Sequence, residues 1–188
     1  MRSRGARRSR NRESEVIEVM VADITTLEVD AIVNAANRAL AGGGGVDGAI
    51  HRAAGRELVK ASRALGPIET GRAVITPGFN LRAKYVIHAV GPIWSGGDDR
   101  EPELLERAYE ESFARAREAG DVRTIAFPAI SAGVYGYPKD GAAEIAVRAM
   151  RSHESEHDRI IACAYDEGMA ELYRRELKSP SQVHRRQS

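Results

Sequence analysis

Between residues 15 and 178, segments with the hydrophobic pattern of a strand alternate with segments that have the pattern of a helix. Short β-branched runs bounded by Gly, Pro or Asp are typical of strands, whereas apolar positions three and four residues apart predict helices. The predicted strands are residues 15–22, 30–35, 71–78, 84–92, 123–130 and 159–165. The predicted helices are residues 48–65 (with a break expected near Gly55), 101–120, 141–150 and 168–177. Strands that alternate with helices in this way indicate an α/β layer fold with helices on both sheet faces.

The same pattern sets the limits of the fold. Residues 15–178 form one predicted domain, and 188 residues with 43% apolar content are enough for a single core. Residues 1–14 are predicted to be a disordered basic tail, and residues 179–188 a polar tail.

Charge is unevenly distributed, although the net charge is only +1. Six arginines and two glutamates fall in the first 15 residues, so the rest of the chain is mildly acidic. This basic head is either a solvated tail or a contact site for RNA or another polyanion. It lacks the apolar segment of a secretory signal, and no apolar run in the chain approaches the roughly 18 residues of a membrane span.

The only cysteine is Cys163, in the apolar context IIACAY. This context predicts a buried, unreactive thiol rather than a catalytic one. A single cysteine provides no disulfide framework, so we expect a reducing compartment and a cytoplasmic protein that does not contact membranes.

The most unusual stretch of the chain is a run of four glycines, Gly42 to Gly45, after the second predicted strand. Glycine lets a ligand approach the backbone closely, and the helix that follows presents free N–H groups to an anion. A Rossmann dinucleotide motif is disfavoured because the segment NAANRALA separates the strand from the glycines. The nearest acidic candidate for such a motif, Glu69, also lies in a predicted loop.

Polar side chains beside the glycines leave alternatives open. Asp47 is either the N-cap of the next helix or a catalytic carboxylate, and a cap would also hold the carboxylate in place. Asn37 either ties the loop to its own backbone or contacts a ligand. For Asn34, which directly ends a strand, we predict only the loop-tying role.

A second loop, residues 129–137, follows another predicted strand and is rich in small residues. Consecutive N–H groups in such a turn form an anion-binding concavity. Ser131 is disfavoured as a nucleophile because Ala129 replaces the first glycine of a nucleophile elbow and no histidine has a partner's spacing. Two such loops on adjacent strand ends predict a diphosphate bound largely by backbone.

The segment HESEH, residues 153–157, formally matches a zinc-binding helix pattern. The surrounding residues are wholly polar, whereas a metalloprotease helix needs a buried face. Glu176, the nearest candidate third ligand, lies beyond a predicted strand. We therefore predict a solvated helix end and no metal site.

Several segments together resemble a macrodomain, specifically the bacterial O-acetyl-ADP-ribose deacetylase branch. They are ADIT (22–25), DAIVNAAN (30–37), GGGGVDGAIHRAAG (42–55), VIHAVGPIW (86–94), PAISAGVYGYP (128–138) and AYDEGMAELYRREL (164–177). The resemblance covers about residues 15 to 178 and implies a three-layer α/β/α sandwich with a mixed central sheet.

The resemblance also implies roles at the two ends of an ADP-ribose molecule. Asp23 would accept a hydrogen bond from the adenine amino group, Ile24 would donate its backbone N–H, and Tyr165 would stack on the ring. At the other end, Asn37 would hold the distal ribose or the attacking water. Asp47 would be the catalytic carboxylate.

Between these ends, the resemblance implies that two loops enclose the diphosphate and the distal ribose. The residues of the second loop are Ser131, Ala132, Gly133, Val134 and Tyr135. Gly45 and Val46 would line the other side. Relatives commonly carry threonine where this chain has Ala132, which predicts slightly weaker phosphate binding.

The implied function is hydrolysis of an ester on the distal ribose. The substrate would be O-acetyl-ADP-ribose or an ADP-ribosyl ester on an Asp or Glu side chain of a protein, and no metal or redox cofactor is implied. Two alternatives remain open: a module that binds ADP-ribose without turnover, and an RNA-associated regulator that acts through the basic head.

Overall fold

A computed structural model describes residues 15–180, which form a six-stranded sheet and five α-helices. The strands are β1 Ile17–Val21, β2 Ala31–Ala35, β3 Ala73–Pro77, β4 Tyr85–Ala89, β5 Thr124–Phe127 and β6 Arg159–Ala164. The helices are α1 Gly45–Ala54, α2 Arg56–Leu65, α3 Glu101–Ala119, α4 Lys139–Ser152 and α5 Glu167–Lys178. Two short 3-10 helices span Ile24–Thr26 and Glu154–Glu156.

The strand order in the sheet is β1-β6-β5-β2-β4-β3. Every neighbouring pair is parallel except β3 and β4, which are antiparallel, so the sheet is mixed as the resemblance implied. The carboxyl ends of the five parallel strands lie at one edge, and the loops that follow them emerge there together.

Each strand contributes alternate side chains to two hydrophobic layers. On one face, Val33, Ile87 and Phe127 pack with residues of α3, α4 and α5. On the other face, Ile32 and Val86 pack with residues of α1 and α2. Helices therefore cover both faces, and the predicted three-layer α/β/α architecture is confirmed.

Each predicted strand and helix is present, and the differences lie at the ends. The fourth strand stops at Ala89 rather than at residue 92. The expected break at Gly55 is confirmed: its φ of 90° ends α1, and α2 begins at the next residue. The helix predicted to start at residue 48 begins earlier, at Gly45, which adopts a left-handed φ of 57°.

The tails predicted for residues 1–14 and for most of 179–188 lie outside the described residues, and so does the predicted RNA contact of the basic head. Between residues 15 and 180, none of the helices combines the length and apolar character needed to cross a membrane.

A substitution of Phe113 in α3 measures how much the larger hydrophobic layer contributes to stability, because this side chain is fully buried and packs against Phe127 of β5. We expect Phe113→Ala to lower the free energy of unfolding by about 3–5 kcal/mol, because it removes buried apolar surface and leaves a cavity. The measurement is urea denaturation followed by circular dichroism. As control, Leu65→Ala changes a side chain that is 46% exposed and should shift stability by no more than about 0.5 kcal/mol. Equal effects of the two changes would contradict the assigned packing.

Candidate ligand-binding and catalytic site

The loop between β2 and α1 is closed by the side chain of Asn37. Its Nδ2 donates to the Gly42 carbonyl at 2.9 Å, and its Oδ1 accepts from the Ala41 N–H at 3.4 Å. The predicted loop-tying role of Asn37 is therefore present. One N–H of the amide remains for another partner, because Nδ2 carries two.

Asp47 is not the N-cap of α1, so that alternative was wrong. Gly44 takes the cap position because the helix begins at Gly45, and Asp47 lies at the third residue of the first turn. Only 6% of Asp47 is exposed. Both of its contacts involve Oδ1: Asn34 Nδ2 donates to it at 2.8 Å, and His51 Nε2 lies 3.2 Å away. Among residues 15–180, no group hydrogen-bonds to Oδ2.

The free oxygen of Asp47 faces the glycine run. A Cβ atom placed on Gly43 would lie 3.2 Å from Asp47 Oδ2 and 3.6 Å from Asn37 Nδ2. The two side chains predicted to be catalytic therefore approach the same point, and any side chain on Gly43 would crowd it. Burial raises the pKa of the Asp47 carboxyl above its ordinary value, and the hydrogen bond from Asn34 and the charge of His51 offset only part of this rise.

Asn34 does not tie the loop to its backbone, which corrects the expectation for it. It is fully buried, and its Nδ2 lies between Asp47 Oδ1 and His88 Nδ1, 3.2 Å from the latter. His88 is also fully buried, and its Nε2 lies 3.0 Å from Thr76 Oγ1. Burial and the charge of His51 lower the pKa of His88 to about 3, so its imidazole is neutral at physiological pH.

The second loop follows β5 and contains an uncommon backbone conformation. Ser131 has a φ of 63°, a left-handed region that costs a non-glycine residue free energy, and such residues cluster at functional sites. Its Oγ is buried and has no hydrogen-bond partner within the described chain. The N–H groups of Gly133, Val134 and Tyr135 donate to no acceptor among residues 15–180, whereas the Ala132 N–H bonds to the Ala129 carbonyl. Three consecutive free donors are suited to an anion.

Loop 129–137 is tethered to the loop that follows β4. The Trp94 N–H donates to the Tyr135 carbonyl at 2.8 Å, and the Trp94 ring packs edge-on against Tyr137 at 4.8 Å between centroids. Glu101, at the start of α3, is 2% exposed and orders the segment after Trp94. Its carboxylate accepts hydrogen bonds from the backbone N–H groups of Ser95, Gly97 and Asp99.

The residues predicted to contact adenine lie beyond the ends of β1 and β6, which are neighbours in the sheet. Tyr165 is 85% exposed, as a ring available for stacking should be. Asp23 is exposed, and its Oδ1 accepts from the Thr25 N–H and Oγ1 at the start of the first 3-10 helix. Ile24 occupies the first position of that helix, where the N–H has no intrahelical acceptor.

Two other predictions concern residues outside this edge. His153 contacts Glu110 and Glu156 through its two ring nitrogens and stacks on Phe113. The HESEH segment follows the end of α4, as predicted. Its two histidines are buried, whereas we expected them to be solvated. Cys163 is buried as predicted, and burial raises the pKa of its thiol to about 11.

The sequence reasoning missed His51 and His88 and misassigned Asn34. His51 had a usable signal, since it follows Asp47 by four residues and shares its face of the helix. Asn34 and His88 are 54 residues apart in sequence and pair directly in the register of β2 and β4. Two polar residues near the ends of apolar strands were the only hint of that contact.

The chain matches the profile of the Macro domain family over residues 33–146. It is 58% identical over 157 residues to a macro domain-containing protein of Ralstonia nicotianae, covering 84% of this chain and 91% of that protein. It is 54% identical over 168 residues to an O-acetyl-ADP-ribose deacetylase of Salmonella newport, covering 86% of this chain and 93% of that protein.

A solved structure shares both fold and sequence with this chain. The Trypanosoma brucei macrodomain in complex with ADP-ribose is similar with a TM-score of 0.80 and 37% identity, covering 86% of this chain and 69% of that one. This similarity agrees with the mixed sheet and the three layers described above.

Glu101 makes the tethered loops sensitive to acid. Burial acts to raise its pKa, but hydrogen bonds from Ser95, Gly97 and its own backbone outweigh this and lower the pKa from 4.5 to about 2. The folded state therefore keeps this carboxyl ionised where the unfolded state takes up a proton. The stability that it contributes is present above pH 4.5 and is lost as the pH falls toward 2.

We expect the free energy of unfolding to fall more steeply between pH 4.5 and pH 2 in the wild type than in Glu101→Gln. Urea denaturation at a series of pH values measures this difference. The control is Glu103→Gln, since Glu103 is an exposed residue of the same helix turn. Parallel pH profiles for wild type and Glu101→Gln would contradict the assigned hydrogen bonds.

Proposed function

The chain belongs to the Macro domain family, and from this premise we propose that it hydrolyses an ester on the distal ribose of ADP-ribose, with O-acetyl-ADP-ribose as a substrate. The name of the Salmonella relative and the ADP-ribose in the Trypanosoma structure support this proposal. The observation that carries it is the free Oδ2 atom of Asp47, held on a buried carboxylate at the edge where the loops after the adjacent strands β2 and β5 emerge.

The strand order supports binding of an extended nucleotide. The proposed adenine contacts follow β1 and β6, the free N–H groups follow β5, and the Asp47 loop follows β2. These four strands are consecutive in the sheet. At about 4.8 Å per spacing they span about 14 Å, which suits an extended ADP-ribose with its adenine over β1 and its distal ribose over β2.

The diphosphate would bind between the two loops. The N–H groups of Gly133, Val134 and Tyr135, which have no acceptor among residues 15–180, would donate to it from one side, and those of Gly45 and Val46 in the first turn of α1 from the other. A helix N-terminus carries a partial positive charge that favours anions. The unpaired Ser131 Oγ would gain a partner from a phosphate or ribose oxygen, which would compensate for its burial.

In the proposed reaction, Asp47 Oδ2 accepts a proton from a water molecule that Asn37 helps to orient. The water oxygen then bonds to the acyl carbon, and the bond between that carbon and the ribose oxygen breaks. The leaving ribose oxygen takes the proton back from Asp47, which restores the carboxylate, and the products are ADP-ribose and the free carboxylic acid. A raised pKa makes the ionised Asp47 carboxylate a stronger base than an exposed aspartate.

Replacing Asp47 by alanine separates binding from chemistry. We expect Asp47→Ala to lower kcat for O-acetyl-ADP-ribose by about 10²–10⁴-fold, because general-base assistance is lost. ADP-ribose should still bind, since the backbone donors remain, and calorimetry measures this. Asp140→Ala is the matched control: Asp140 also lies in the first turn of a helix but is exposed and pairs with Arg175. Equal deacetylation by wild type and Asp47→Ala would remove Asp47 from the mechanism.

The ester itself is tested by comparing two substrates. We expect the wild type to hydrolyse O-acetyl-ADP-ribose and a glutamyl-ADP-ribosylated protein, because both present an acyl ester on the distal ribose. Asp47→Ala should lose both activities. Mass spectrometry of the released ADP-ribose measures turnover. Tight ADP-ribose binding with turnover of neither ester would instead show a binding module without catalysis.

A further inference from the structure

Three buried polar residues cross the layer between the sheet and α1. Asn34 lies on β2, His88 on β4 and Thr76 on β3, and the exposed fraction of each is 3% or less. Asn34 and His88 are directly paired in the parallel register, and Thr76 is two residues from Val74, the antiparallel partner of His88. All three side chains therefore point to the same face of the sheet, toward Asp47.

Hydrogen-bonding chemistry fixes the direction of every contact in this row. An ionised Asp47 carboxylate can only accept, so the group 2.8 Å from its Oδ1 must be the amide nitrogen of Asn34. The same nitrogen faces His88 Nδ1, which must then be the acceptor. The ring proton of neutral His88 accordingly lies on Nε2, which donates to Thr76 Oγ1.

We propose that Thr76, His88 and Asn34 form a positioning row that orients the Asp47 carboxylate so that Oδ2 faces the substrate. None of the three is a catalytic residue, since each is buried beneath Asp47 and acts through it. This inference rests on the proposed hydrolase function and extends it by three residues.

In this row, the hydrogen bond from each side chain allows the next side chain only one orientation. Both N–H bonds of the Asn34 amide are engaged, one by Asp47 and one by His88. Without an acceptor at His88, the amide could turn over and present its carbonyl to the carboxylate, which would repel it. Without an acceptor at Thr76, the imidazole could move its proton to Nδ1 or rotate, and its acceptor for Asn34 would be lost.

One other titratable group contacts Asp47. His51 reaches Oδ1 from α1, and its ring lies 6.1 Å from that of His88 between centroids. Because His51 belongs to the same helix as Asp47, it can restrain the carboxylate within α1 but cannot fix α1 relative to the sheet. Asn34 supplies that link, which is why the row has an effect distinct from that of His51.

The first test compares two substitutions of His88. His88→Leu removes both contacts, whereas His88→Asn places an amide oxygen where Nδ1 stood and keeps an acceptor for Asn34. We expect His88→Leu to lower kcat by about 10–100-fold, as expected when a catalytic group is misplaced. KM and the calorimetric Kd for ADP-ribose should stay within about two-fold, because uniform binding is untouched. His88→Asn should recover most of kcat.

The second test uses Thr76, because its substitutions change the side-chain volume less than His88→Leu and should disturb folding less. Thr76→Val keeps the shape and removes the acceptor for Nε2–H, and Thr76→Ser retains the hydroxyl. We expect Thr76→Val to lower kcat by about three- to ten-fold, with Thr76→Ser close to wild type. Thermal unfolding of each variant checks that it is folded. Equal kcat for the wild type, Thr76→Val and a folded His88→Leu would overturn the proposal.

A measurement without substrate separates this inference from the proposed function. Carbon-13 NMR of the Asp47 carboxyl follows its titration directly. Because the hydrogen bond from Asn34 lowers the pKa of Asp47, a disrupted row should raise that pKa in His88→Leu and leave it near the wild-type value in His88→Asn. An unchanged pKa in folded His88→Leu would contradict the row even if hydrolysis is observed. A raised pKa with no hydrolysis by the wild type would refute only the hydrolase.

Discussion

The hydrogen bond from Asn34 Nδ2 to Asp47 Oδ1 links the sheet to the first turn of α1, and the proposed chemistry depends on it. A carboxylate at the start of a helix normally faces solvent or caps its own backbone. Here the helix begins two residues before Asp47, so the side chain points down toward the strands instead. One oxygen is thereby held, and the other is left open beside Gly43. The same burial that demands this partner also makes the carboxylate a better base.

The remainder of the proposed site is built from backbone rather than from charged side chains. The five parallel strands bring their loops to one edge, and the loops after β2 and β5 each present several consecutive unpaired N–H groups. Such donors are fixed by the fold, so they need little reorganisation when an anion binds. The tether between Trp94 and Tyr135 and the carboxylate of Glu101 extend this rigidity to the neighbouring loop. A rigid cradle with one buried acid suits hydrolysis of a ribose ester.

Much of this arrangement can be read from the sequence because it is local. The alternation of apolar runs gives the layers, and Gly42 to Gly45 stand out because no packed element tolerates four adjacent glycines. The β-rich run before Ser131 and the small residues after it likewise mark a strand followed by an open turn. The resemblance to macrodomains added the mixed sheet, which strand patterns alone do not reveal.

The contacts beneath Asp47 could not be read in the same way. Asn34 and His88 become neighbours only through the register of two strands, and Thr76 joins them from a third strand with opposite direction. Register depends on how whole strands pair, which no single segment encodes. The start of α1 was also placed late, because Gly45 adopts a left-handed φ that a propensity argument assigns to a loop. That shift changes Asp47 from a cap into a buried acid.

The most direct test of the central claim is a high-resolution crystal structure of this protein with ADP-ribose bound. The account predicts that Asp47 Oδ1 keeps its contact with Asn34 and that Oδ2 lies about 2.6–3.2 Å from the distal ribose or from a water molecule resting on it. A carboxylate that has turned away from Asn34, or a distal ribose that lies away from Oδ2, would contradict it.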